Sequence, residues 1–77
     1  REAAVFKPEV LRSVLGDYWS KGRPVGFVDR AKTVVLIRVA NSADAQELSF
    51  AQREIINRLK ELPGFAQLKK VRFEVIS

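Results

Sequence analysis

The spacing of apolar residues changes period along the chain and divides it into elements. Leu11, Val14, Leu15, Tyr18 and Trp19 recur at the i, i+3, i+4, i+7, i+8 steps of an amphipathic helix. Pro8 and Glu9 suit its first turn, where the missing proline amide costs nothing and a negative charge is favourable. Residues 1–7 read as a lead-in. Gly16 costs about 1 kcal/mol relative to Ala inside a helix, so it is expected to weaken or end this one early. Gly22 and Pro24 are expected to close the segment. Val25 to Asp29 fits a short strand with Val25 and Phe27 on one face, and Asp29 to Lys32 a turn. Thr33 to Ala40 is dense in β-branched residues and predicts a second strand. Asn41 and Ser42 then offer side-chain oxygens to a helix start, with Asp44 in the first turn. Ala45, Leu48, Ile55, Leu59 and Leu62 continue at helical intervals, so one helix is expected from about Ser42 to Leu62, stopped by Pro63-Gly64. Phe65 to Lys69 reads as a connector. Val71 to Ile76 alternates Val71, Phe73 and Val75 against Arg72, Glu74 and Ile76, as a strand does.

The expected order is helix, strand, strand, helix, strand. The first two strands should form an antiparallel hairpin, and the second helix should cross over to bring the third strand into the same sheet. This is an α+β fold, a three-stranded sheet with two helices on one face. Thr33, Val35, Ile37 and Val39 would lie under the helices, leaving Val34, Leu36 and Arg38 on the open face with Arg72.

Length and composition narrow the reading. Seventy-seven residues make one domain, residues 1–77. The start at Arg1 instead of Met is read as a sign that this domain belongs to a longer protein. No apolar run approaches the roughly 20 residues of a membrane span, and the opening REAAVFKPE lacks the apolar stretch of a signal peptide. Fourteen Lys and Arg against nine Asp and Glu give a net charge of +5, which favours acidic partners, nucleic acid first among them. The chain has neither cysteine nor histidine, which removes thiolate ligands and the commonest general base.

Candidate chemistry follows from the cations. Lys21 and Arg23 stand beside Tyr18 and Trp19, Arg30 and Lys32 lie in the hairpin turn, and Lys69 and Lys70 lead into the third strand. These six basic residues are the candidates for neutralising phosphates of single-stranded DNA. Trp19 itself fits the apolar stripe better than a stacking platform. Gln46, Ser49, Arg53 and Asn57 recur on the polar side of the second helix and are the candidates for a protein partner. No Gly-rich phosphate loop and no nucleophile paired with a base is visible, so no catalytic residue is assigned. The carboxylate pairs Glu47 with Glu54 and Asp44 with Glu47 sit among Arg53, Arg58 and Lys60, and are read as surface ion pairing. No metal site, cofactor or small-molecule substrate is expected. A Gly-x-x-Gly clamp of the kind K-homology domains use on RNA is absent, the glycines being Gly16, Gly22, Gly26 and Gly64.

The segment PVGFVDRAKTVVLIRVANSADAQELSF resembles the DciA family, bacterial proteins that assist loading of the replicative DNA helicase. The resemblance rests on Gly16, Pro24-Val25, Ile37 to Val39, Ser42, Ala45-Gln46-Glu47-Leu48, the Ile55 to Leu62 stretch and Val71-Arg72-Phe73. It covers roughly Leu11 to Val75. It implies a K-homology-like fold, no enzymatic activity, a cytoplasmic and nucleoid-associated location, and binding to the hexameric DnaB-type helicase and to single-stranded DNA. Asp44 stands where the family usually has a Trp. The other function classes consistent with the residues are a general single-stranded nucleic-acid-binding module acting on RNA or the ribosome, and an interaction domain without nucleic acid.

Overall fold

In the computed structural model, which describes residues 7–76, the elements appear in the order expected from sequence. Of the lead-in, residues 1–6 lie outside the described residues. Helix α1 spans Pro8–Leu15, with Pro8 in its first turn, and passes into a 3-10 turn over Gly16–Ser20. Strand β1 covers Gly22–Phe27 and β2 covers Val34–Val39. Helices α2, Ser42–Phe50, and α3, Gln52–Leu59, follow, and β3 runs over Lys70–Val75. β1 pairs antiparallel with β2, and β2 pairs parallel with β3, in the order β1-β2-β3. The fold is α+β, with three α-helices and a three-stranded mixed sheet among the described residues.

The helices cover one face of that sheet. Val35, Ile37 and Val39 of β2 are buried with Leu11 and Leu15 of α1, Leu48 of α2, and Ile55 and Leu59 of α3. Opposite them across the β2–β3 ladder stand Val71, Phe73 and Val75. Val34 and Leu36 are half-buried and Arg38 is exposed, on the other face.

Four expectations need correction. The helix expected from Ser42 to Leu62 is two helices. At Ala51 the backbone leaves the helical region (φ −100°, ψ 12°), and its amide donates to the Leu48 carbonyl at 3.0 Å, three residues back instead of four. No glycine or proline marks this break, and the helical part ends at Leu59, with Leu62 in the turns that follow. The two helices on one face are therefore three. Strand β1 starts earlier than expected: Gly22 and Pro24 are buried members of it and do not close the preceding segment. Finally, Val25 and Phe27 do not share a face. The register slips between Pro24 and Gly26, so Val25 is a bulge residue turned to solvent, while Phe27 pairs with Val35 and packs on Phe65, ring centroids 5.3 Å apart.

Two glycines have steric reasons. Gly16 closes α1 with φ +59°, a conformation that L side chains rarely adopt. Gly22 sits where a Cβ would lie 2.6 Å from Leu48 Cδ1 and 2.9 Å from both Ile37 Cγ2 and Val39 Cγ1. Absence of a side chain there lets α2 approach the sheet. The connector of residues 65–69 contributes Phe65 and Leu68 to the core, both fully buried.

Candidate nucleic-acid and partner interface

The hairpin turn is held by one carboxylate. Asp29 Oδ1 accepts from the Thr33 amide at 3.0 Å and the Val34 amide at 3.1 Å, and Oδ2 accepts from the Thr33 hydroxyl. These donors, the Thr33 hydroxyl foremost, hold the Asp29 carboxyl below its ordinary pKa. The turn admits Lys32 at φ +62°. The Thr33 carbonyl in turn accepts from the Lys69 amide at 2.7 Å and the Lys70 amide at 3.0 Å. Arg30, Lys32, Lys69 and Lys70 are thereby carried to the same end of the sheet.

Lys21 and Arg23 lie at the opposite end. From Arg38, opposite Arg23, to Val34, opposite Lys70, is a step of four residues along β2, about 13 Å. Lys21 Nζ donates to Glu47 Oε1 at 3.2 Å, which ties the start of β1 to α2 and offsets part of its charge. The Arg23 guanidinium stacks over Trp19, 5.1 Å from the ring centroid. Trp19 also packs against the core, half-buried, in keeping with its place on the apolar stripe. Lys21, Arg23, Val25, Arg38 and Ile76 help line an open recess of ≈ 320 Å³.

The six candidate cations thus form two groups, not one. On the open face Arg38 stands at the Lys21–Arg23 end, and Arg72 lies between the two ends. The Arg23 position pairs with Arg38 across β1–β2, Leu36 with Arg72 across β2–β3, and Val34 with Lys70. Arg38 Nε donates to Glu74 Oε1 at 2.8 Å. Sequence alone put Arg38 and Arg72 on this face, and the register sets Arg38 at the Arg23 end and Arg72 between the two ends.

The candidate partner residues Gln46 and Ser49 lie on α2, Arg53 and Asn57 on α3, all exposed. The break at Ala51 divides them, and beside it Phe50 is 83% exposed, a large apolar side chain that the polar-stripe reading omitted. Two of the candidate carboxylates, Glu47 and Glu54, are engaged in ion pairs. Glu47 holds Lys21, and Glu54 accepts from the Tyr18 hydroxyl at 2.8 Å and from Arg58 Nη2 at 2.6 Å. Those two donors lower the Glu54 pKa, and the same bond to Glu54 raises that of Tyr18. Arg58 also donates from Nη1 to the Leu15 and Val14 carbonyls, at 3.2 and 3.4 Å. It therefore caps the C-terminus of α1 from α3, a role the sequence does not announce. Among the described residues no cluster of three acidic, histidine or cysteine side chains could hold a metal, and no helix is long and apolar enough to cross a membrane.

Residues 5–73 match the model of the family described as Dna[CI] antecedent, DciA. The chain belongs to the DciA family. The membership points in general terms to a role in DNA replication as a loader of the DnaB-type helicase. No curated protein matches the chain closely enough to count as a relative. The matched span runs from α1 into β3, so Gly16, the AQEL start of α2 and the Val71-Arg72-Phe73 strand all fall within it.

Proposed function

We propose that this domain is a non-catalytic adaptor, K-homology-like in shape, that binds the hexameric replicative helicase and assists its loading onto single-stranded DNA at replication initiation. The observation that carries this reading is the family match over nearly the whole folded unit. Loading by an adaptor of this kind works by differential affinity. A protein that binds an opened helicase ring better than a closed one shifts the population able to admit a strand. The exposed surface of α2 and α3, with Gln46, Ser49, Arg53, Asn57 and Phe50, is the part we assign to the helicase.

The strand of DNA is assigned to the open sheet face and its two ends. Lys21 and Arg23, with Arg38 beside them, at one end, and Arg30, Lys32, Lys69 and Lys70 at the other, supply phosphate contacts, with Arg72 between. Such contacts read charge and not sequence, and they weaken steeply with salt. The protein carrying them works in the cytoplasm, at the nucleoid.

Capture of the purified DnaB-type helicase on the immobilised protein tests the partner. Binding that is lost in an Arg53→Ala, Asn57→Ala double variant of unchanged thermal stability is the expected result. No capture under any nucleotide condition overturns the helicase assignment.

A further inference from the structure

We propose that β3 is a self-complementary edge, through which two copies of this chain join their sheets antiparallel about a two-fold axis; this rests on the strand geometry and not on the helicase reading. The two edges of the sheet differ. β1 is interrupted by Pro24, which lacks an N–H, and by the bulge at Val25, both features that discourage pairing. β3 is regular over its whole length. Its Lys70 amide donates to the Thr33 carbonyl and the Ile76 amide to the Val39 carbonyl. The even-numbered residues therefore turn their backbone groups toward β2, and Val71, Phe73 and Val75 turn theirs away from it.

Pairing through those outward groups allows few registers, and charge selects among them. Centred on Val71, Lys70 stands opposite Arg72 of the second copy, and like charges directly opposite are destabilising. Centred on Arg72 or Glu74, that charged residue stands opposite itself, and centred on Val75, Glu74 meets Ile76 and gains nothing. Centred on Phe73, Arg72 stands opposite Glu74 of the second copy and Glu74 opposite its Arg72. Phe73 then meets Phe73, and Val71 meets Val75. Glu74 uses Oε1 for Arg38, which leaves Oε2 for the arriving guanidinium. Arg72 has no ion pair among the described residues. The exposed apolar residues at this end fit the same arrangement: Val75 is 43% and Ile76 55% exposed, and the pairing covers both. The two-fold axis is perpendicular to the joined sheet, so both helical layers fall on one side and both cationic faces on the other.

Sedimentation equilibrium of the intact chain over a wide concentration range tests the pairing. The mass should rise from monomer toward dimer with concentration. Val75→Pro removes one outward amide without touching the β2 ladder, and should leave a folded monomer by circular dichroism. Arg72→Glu should weaken association roughly tenfold, since it places two like-charged pairs across the axis, and the double variant Arg72→Glu, Glu74→Arg should restore it. A chain that stays monomeric up to about 1 mM overturns the proposal and leaves the edge to a strand of some other protein. So does association that Val75→Pro leaves intact, because the contact then lies elsewhere.

Discussion

At Gly22 the cost of a single methyl group can be read directly from the packing. An added Cβ would press into Leu48, Ile37 and Val39, residues that have no room to retreat because all three are buried. Gly22→Ala should lower stability by about 1–3 kcal/mol, measured by urea unfolding. Gly16→Ala meets no such crowding, its nearest neighbour being Arg58 Nη1 at 3.6 Å, but forces a side chain into positive φ; about 1 kcal/mol is expected. Two carboxyls set the acid response. Asp29 and Glu54 both have folded pKa values below their unfolded ones, near 3.8 and 4.5. Their stabilisation is complete above those unfolded values and is lost as pH falls through the lower, folded ones. Stability should therefore fall below about pH 4, and Asp29→Asn should flatten the fall while shifting the neutral-pH urea midpoint downward.

Between elements, Arg58 is the clearest link. It joins α3 to the end of α1 through two carbonyls, to Glu54 through an ion pair, and lies over Tyr18, 5.3 Å from the ring centroid. Its side chain is 40% exposed, so much of the charge interaction is screened. Arg58→Ala should cost about 1 kcal/mol, and Arg58→Lys should recover little, because a lysine cannot span both carbonyls and Glu54 with one planar fork. Sequence pattern made most elements legible. Leu11 and Leu15, Val35, Ile37 and Val39, and Leu48, Ile55 and Leu59 all bury as their periods require. It missed what has no periodic signature. The break at Ala51 involves no glycine or proline, and Leu48 before it and Ile55 and Leu59 after it stay on the core side while Phe50 is exposed. The bulge at Val25 shifts one residue without changing composition. Phe65 and Leu68 lie in a connector too short to show a period, although their size alone is a signal that they are buried.

For the whole molecule, the sequence named candidate cations but could not place them relative to one another. Lys69 and Lys70 meet Arg30 and Lys32 only because the parallel β2–β3 ladder starts at Thr33. The separation of Lys21 and Arg23 from that group is a consequence of the hairpin. If one DNA strand crosses the face between them, Arg30→Ala with Lys32→Ala should reduce the salt slope of single-stranded DNA binding by about 1.4, at 0.7 for each lost phosphate contact. An unchanged slope places the DNA elsewhere. The adaptor reading as a whole is tested most directly by helicase loading itself. With the DnaB-type helicase, ATP and a closed circular single strand carrying a short duplex, this protein should raise the rate of strand displacement, and the Arg53→Ala, Asn57→Ala variant should not. A displacement rate that stays at the helicase-alone value, with the helicase active on a substrate with a free end, would contradict it.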